Sequence, residues 1–144
     1  MKTCFALFVA LVMSSTLFAD DRTVTLPEVV SKGLNALKYS GSASALDAWM
    51  VGSPMEKDAA GRSKILGALS SAEGLYGRST GYEIIQMFSL TPSTLRIYGV
   101  ILFEKGPLYA RWDCFKTADG WVVPEFIVNT AAEKVIPAEL MFKL

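Results

Sequence analysis

The chain has 144 residues, with 14 lysines and arginines balanced by 14 aspartates and glutamates, and it contains no histidine. This length fits one domain with one buried core, and the zero net charge argues against a surface that binds nucleic acid. Without histidine, Ser-His-Asp and Cys-His catalysis are excluded and the commonest zinc ligand is missing. The scattered acidic residues form no cluster at metal spacing, so the sequence predicts neither a metal site nor a cofactor.

The first nineteen residues have the composition of an export leader. Lys2 gives a positive start, residues 4–13 are an unbroken apolar run, and Ala19 precedes two aspartates. Apolar runs of about ten residues are typical of signal peptides, whereas a membrane-spanning helix needs roughly 20. We therefore expect residues 1–19 to be a signal peptide, residues 20–144 to form a single domain, and no membrane span to remain after the leader is removed.

Two or three helices are predicted in the first half of the exported domain. The first is expected over residues 26–39, between a capping box at Thr25 and Glu28 and a stop at Gly41. A short second helix is expected over residues 44–51. A third should begin at a second capping box, which starts at Ser53. We expect that helix to break near one of its three glycines, since glycine disfavours helix interiors: Gly61, Gly67 and Gly74.

Beyond residue 81 the pattern changes to that of strands. Four segments rich in Ile, Val, Phe, Tyr and Trp cover residues 82–90, 94–104, 108–117 and 121–129. The turns between them are so short that neighbouring strands must run antiparallel. The predicted fold class is therefore α+β, with two or three N-terminal helices packed on an antiparallel sheet of about four strands.

This order of elements resembles the NTF2-like superfamily, which has a cystatin-like, cone-shaped fold with a strongly curved sheet. The resemblance rests on residues 81–85 (Gly-Tyr-Glu-Ile-Ile), 106–109 (Gly-Pro-Leu-Tyr), 119–123 (Asp-Gly-Trp-Val-Val) and 126–129 (Phe-Ile-Val-Asn). It implies a pocket between the sheet and the helices, which in different members binds small apolar ligands, performs Asp/Tyr acid–base chemistry, or only supports dimerisation. Small exported bacterial members without an assigned activity are the most similar, which implies a location in the bacterial periplasm or outside the cell.

The catalytic candidates follow from the alternation of side chains along the predicted strands. Tyr98 lies on one face of the second strand, and Arg111 and Asp113 share one face of the third. A carboxylate in an apolar cavity can move a proton, and a tyrosine hydroxyl can hold a developing oxyanion, so Asp113 with Tyr98 or Tyr82 could act as an isomerase-type pair. The alternative, which we favour, is an exposed Arg111–Asp113 pair worth less than about 1 kcal/mol. In that case Asp113→Asn should leave folding almost unchanged.

Glu73 interrupts the apolar stripe of the third helix. We expect it to meet Arg78 or Arg96, or to face solvent; the alternative is a role in a pocket. A ligand-binding site, if present, would draw on four residues: Tyr82, Tyr98, Arg111 and Glu73.

The remaining conspicuous side chains are expected in the core. Cys114 lies in an aromatic segment with no histidine to activate it, which indicates a buried and unreactive thiol. Trp49, Trp112 and Trp121 are expected to be core residues because aromatic side chains dominate core burial.

Three functions remain open from the sequence. The leading one is a non-catalytic exported domain that binds a small apolar ligand or a protein partner, with a homodimer through the open sheet face as one form of partnership. The second is a small isomerase, lyase or hydrolase that uses an Asp/Tyr pair, and the third is a cell-envelope accessory protein that acts by protein contact alone. The ligand-binding and enzyme hypotheses need a cavity of roughly 300 Å³ or more.

The leader makes a prediction that intact mass can check. Protein recovered from the cell envelope or the medium should begin at or near Asp20, because export removes the apolar run. Recovery of the full-length mass from the cytoplasm would contradict this prediction.

Overall fold

The computed structural model describes residues 24–142, which form N-terminal helices, a four-stranded sheet and a C-terminal segment. The predicted signal peptide lies outside the described residues. The helices are α1 (Glu28–Ser40), α2 (Ser42–Met50), α3 (Ala59–Tyr76) and α4 (Ala138–Met141), with 3₁₀ turns at Pro54–Lys57 and Ala132–Lys134. The strands are β1 (Ser79–Thr91), β2 (Thr94–Phe103), β3 (Pro107–Thr117) and β4 (Gly120–Asn129), and they pair antiparallel in chain order. The predicted α+β class and antiparallel sheet are confirmed.

The start of the third helix differs from the prediction. Ser53 caps only a 3₁₀ turn, in which its hydroxyl accepts the Met55 N–H at 3.2 Å. The helix α3 begins after Asp58, whose carboxylate accepts the Gly61 N–H at 2.9 Å. From there α3 runs unbroken to Tyr76, so the expected break at a glycine is wrong. The interruption falls at Asp58 instead, because this second capping side chain starts a new helix.

The sheet has an inner face against the helices and an outer face on the opposite side. Side chains alternate along β2 and β3 as the sequence predicts. The inner face of these two strands is buried in the core: Leu95, Ile97, Ile101, Phe103, Leu108, Ala110, Trp112 and Cys114. Within the described residues, none of the helices combines the length and the apolar composition that crossing a bilayer requires.

An aromatic cluster joins the helices to the sheet. The rings of Trp49 and Phe126 are centred 4.6 Å apart, and those of Trp112 and Phe126 are 5.3 Å apart. Trp49 approaches α1 closely because position 33 is glycine, where a Cβ atom would lie 2.1 Å from the indole nitrogen. That nitrogen donates a hydrogen bond to the Val30 carbonyl at 3.1 Å. The cluster therefore fixes α1, α2 and the inner face in one arrangement.

The two central tryptophans differ in how their indole N–H groups are satisfied, which leads to a stability prediction. Trp49 donates to Val30, whereas the buried Nε1 of Trp112 has no hydrogen-bond partner among the described residues. Replacing either tryptophan by phenylalanine removes a similar side-chain volume. At Trp49 the replacement also removes a hydrogen bond, whereas at Trp112 it removes a donor that has no partner among the described residues. We expect Trp49→Phe to lower the free energy of unfolding by about 1–2 kcal/mol more than Trp112→Phe. Urea unfolding of both variants measures the difference, and equal losses would mean that the Trp112 N–H has a partner.

Candidate functional site

The space between the helices and the inner face is filled by side chains. Trp49, Trp112 and Phe126 occupy its centre and are at most 4% exposed. Leu37 and Leu69 extend this packing from α1 and α3, and both are buried. A pocket at the position that the NTF2-like resemblance implies would need the space that these side chains occupy.

The outer face carries a network of four charged side chains. Arg96 donates two hydrogen bonds to Asp113, at 2.6 Å from Nε to Oδ1 and 3.0 Å from Nη2 to Oδ2. Arg111 Nη2 lies 3.2 Å from Asp113 Oδ2 and 2.9 Å from Glu125 Oε1. These residues meet because β2 pairs Arg96 with Asp113 and β4 pairs Glu125 with Asp113. The outer face therefore holds two arginines and two carboxylates with no net charge.

This network changes the interpretation of Asp113. Its predicted contact with Arg111 is present, but Arg96 is the closer partner, and the side chains of Asp113 and Arg111 are only 21% and 20% exposed. The hydrogen bonds that Arg96 donates to Asp113, together with the negative charge of that carboxylate, raise the pKa of the Arg96 guanidinium above its ordinary value. Both carboxylate oxygens already accept hydrogen bonds, and the expectation of an exposed pair is wrong. The expectation that the pair contributes little to stability stays a prediction. The arrangement favours a structural role over that of a free base.

The two candidate tyrosines lie on opposite faces of the sheet. Tyr98 shares the outer face with Asp113, but it is buried beneath residues of the C-terminal segment, with Phe88 in an edge-to-face contact at 6.2 Å. Tyr82 pairs with Ile101, which belongs to the inner face, and it is 37% exposed at the edge of the sheet. The structure thus places Tyr98 on the same face as Asp113 and separates Tyr82 from both.

Glu73 has a different partner from those predicted. It accepts a hydrogen bond from the Ser42 hydroxyl at 2.7 Å, while Arg78 lies 3.5 Å from Glu104 and Arg96 binds Asp113. Ser42 is the first residue of α2, so the contact ties the start of α2 to the last turn of α3. The predicted ion pair with Arg78 or Arg96 is therefore wrong. Glu73 is half-buried, and its contact with Ser42 joins two helices.

The predictions for the core residues are largely confirmed. Cys114 is a free, buried cysteine, and burial, assisted by the charge of Asp113, raises the pKa of its thiol to about 12. A thiol in this state has little thiolate and is a poor nucleophile at neutral pH. Trp49 and Trp112 are buried. Trp121 is half-buried against the core, with the Lys116 ammonium 5.9 Å from its ring centre.

A groove between α3 and the edge strand β4 is the site that the sequence analysis missed. Its volume is about 400 Å³. On the helix side, Met55, Ile65 and Ala68 contribute apolar surface, and on the strand side every residue from 124 to 129 takes part. Neighbouring residues of a strand point to opposite faces, so a groove that contacts them all must follow the backbone edge.

One sequence signal could have indicated this edge. Pro124 lies inside β4, where the pairing with β3 shifts register after Asp113. Proline in a sheet is confined to edges, first positions and bulges because it has no N–H to donate. Its position therefore favours β4 as an edge strand, although it does not reveal which helix lies beside it.

Comparisons of the chain with protein-family models, with curated proteins and with solved structures each found no match. The NTF2-like assignment therefore stays a prediction, and the function must be argued from geometry. Within residues 24–142, no three side chains of the His, Cys, Asp and Glu types come together as a group that could hold a metal ion.

The charged network makes Asp113→Asn a destabilising change. The substitution would leave the neighbouring guanidinium groups of Arg96 and Arg111 without their shared carboxylate. Because the network is half-buried, we expect a loss of about 1–3 kcal/mol in the free energy of unfolding, between the values typical of exposed and of buried pairs. Urea unfolding measures this loss.

Glu125→Gln is the matched control, because Glu125 contacts only Arg111 within the network and its side chain is 55% exposed. That variant should lose less than about 1 kcal/mol. Equal stability of Asp113→Asn and the unchanged protein would show that the network is energetically unimportant.

Proposed function

We propose that this protein is an exported, non-catalytic binding domain whose α3–β4 groove takes an extended segment of a protein partner. The observation that carries the proposal is the contact of the groove with consecutive residues of β4. A groove that follows a strand edge in this way suits a peptide backbone better than a compact small molecule. The predicted leader supports the exported location.

The free edge of β4 supplies the main-chain contacts for such a partner. Within the described residues, β4 pairs only with β3, so the backbone groups on its other side have no strand partner. An added strand would pair there, and main-chain hydrogen bonds of this kind give affinity with little dependence on sequence. Six strand residues extend about 20 Å, which sets the length of peptide that the edge can pair.

The residues that line the groove indicate which side chains of the partner are apolar and which are polar. Ile65 and Phe126 form a buried apolar floor, and half-buried Ala68 lies beside them. Exposed Asp58 and Lys64 stand at the rim with opposite charges. We therefore infer a partner segment with an apolar residue at every second position and polar residues between them.

Less supports a small apolar ligand or an enzyme, which the sequence also left open. A small apolar ligand between the layers would have to displace Trp49, Trp112 or Phe126, which are closely packed. An enzyme that uses Asp113 would first have to release its carboxylate from Arg96 and Arg111. Binding at the sheet edge needs neither change.

The test uses a panel of nine-residue peptides with valine or isoleucine at alternate positions. Binding should protect alternate backbone N–H groups among residues 125–129 from hydrogen exchange, because the groups that face away from β3 gain partners. Ala68→Arg should weaken binding by about tenfold or more, since a long charged side chain fills the apolar wall. Affinities can be measured by fluorescence anisotropy.

Ser70→Arg is the matched control. Ser70 is exposed on the same helix and does not line the groove, so the variant adds the same charge elsewhere. It should bind the peptides as the unchanged protein does. If both variants bind equally well, or if protection falls on β1 and not on β4, the groove is not the binding site.

A further inference from the structure

The pairing of β3 with β2 determines which backbone groups of β3 face β4. At one end of β3, the Gly106 carbonyl accepts the Phe103 N–H at 3.0 Å, and at the other end the Lys116 N–H donates to the Ser93 carbonyl at 2.9 Å. Both bonds lie on the β2 side, and the pairing between these two strands has no register shift. The hydrogen-bonding direction of an antiparallel strand alternates from one residue to the next. The even-numbered residues of β3 therefore face β2, and its odd-numbered residues face β4.

Two residues of β4 consequently direct their backbone groups away from β3. The odd-numbered residues of β3 exchange hydrogen bonds with alternate residues of β4: Glu125, Ile127 and Asn129. The residues between them, Phe126 and Val128, direct both the N–H and the C=O to the free edge, where they line the α3–β4 groove. Pro124 ends this stretch, because it has no N–H to donate and the register shift of β4 lies beside it.

The same two residues set the side-chain preference of a strand added at this edge. Phe126 is buried in the main core, and half-buried Val128 packs against that core, so both side chains lie on the inner face. Residues directly paired across neighbouring strands share a face. Partner residues opposite Phe126 and Val128 would therefore point toward Ile65 and Ala68 of α3, which form an apolar wall. The two partner residues that make the main-chain hydrogen bonds are thus expected to be apolar.

Glu125 places a negative charge beside the next position of the partner. Its side chain lies on the outer face, because it pairs with Asp113, and it is 55% exposed. Arg111 contacts its Oε1 atom at 2.9 Å, and Oε2 remains for a second cation. Opposite charges on directly paired residues stabilise a sheet, whereas like charges destabilise it. The partner residue opposite Glu125 is therefore expected to be lysine or arginine.

We propose that the partner segment pairs antiparallel with β4 and carries the pattern apolar, any residue, apolar, basic, from its N-terminus to its C-terminus. Its two apolar residues hydrogen-bond with Val128 and then with Phe126, and its basic residue faces Glu125. The antiparallel direction follows from the greater stability of that pairing for each residue. This inference rests on the proposed binding at the α3–β4 groove and adds the register, the direction and the charge of the partner.

Hydrogen exchange measured at single backbone amides by NMR tests the register. The probe is a nine-residue peptide with Val-Thr-Ile-Lys at its centre. On binding, the N–H groups of Phe126 and Val128 should exchange at least about tenfold more slowly, whereas the N–H of Ile127, which already pairs with β3, should change little. Protection of Ile127 and not of its neighbours would reject the register and leave binding at the groove standing. Absence of peptide binding would overturn both this inference and the proposed function.

Exchanging the lysine of the probe tests the charge. The unchanged protein should bind the lysine peptide about threefold more tightly than the same peptide with glutamine, and the glutamate peptide should bind least tightly. Glu125→Gln should remove most of this preference. Glu83→Gln is the matched control, because it removes the same charge from an exposed position on β1, at the other edge of the sheet, and should leave the preference unchanged. An equal preference in Glu125→Gln and in the unchanged protein would overturn the assignment of the basic residue.

The reversed peptide, with Lys-Ile-Thr-Val at its centre, tests the direction. It can place its lysine opposite Glu125 and its apolar residues against α3 only in a parallel arrangement. We expect it to bind more weakly than the original peptide. Equal or tighter binding of the reversed peptide, with the same two amides protected, would contradict the antiparallel direction without affecting the proposed function.

Discussion

The contact between Gly33 and the indole of Trp49 is the constraint on which the rest of the structure depends. Without a side chain at position 33, the indole lies directly against α1 and donates to the Val30 carbonyl. The same ring then meets Trp112 and Phe126 on the inner face. One residue of α2 thus sets the position of α1, the height of the helices above the sheet, and the volume that remains between the two layers.

That remaining volume decides where binding can occur. Three large aromatic rings fill the centre of this layer, so a ligand is more easily accommodated at the surface, including the margins of the sheet. The edge of β4 has free backbone groups and an apolar helix beside it. The outer face has an apolar surface that the end of the chain only partly covers. The proposed binding at the edge of β4 is consistent with this closed interior.

The sequence predicts the sheet better than it predicts the site, for physical reasons. Alternation has a period of two and turns are short, so the faces and order of β2 and β3 follow from local patterns. Asp113 was correctly placed beside Arg111, but the closer contact with Arg96 depends on the register between two strands, which no local pattern contains. Ser42 is likewise 31 residues from Glu73, and only the packed helices bring them together. The placement of residues 130–142 was not predicted because it depends on the burial of Val135 and Ile136 against Tyr98, which no local pattern contains.

The burial of Cys114 has a consequence for the lifetime of the protein if it is exported as proposed. It is the only cysteine beyond the predicted leader, so a chain that has lost residues 1–19 would have no internal disulfide to hold it after unfolding. In an oxidising compartment, a folded copy withholds its thiol from neighbouring molecules, whereas an unfolded copy exposes it and can be cross-linked to another chain. Unfolding there becomes hard to reverse. The lifetime of the domain would then depend on the rate at which it opens, and the burial of Cys114 in the folded state would protect it against covalent loss.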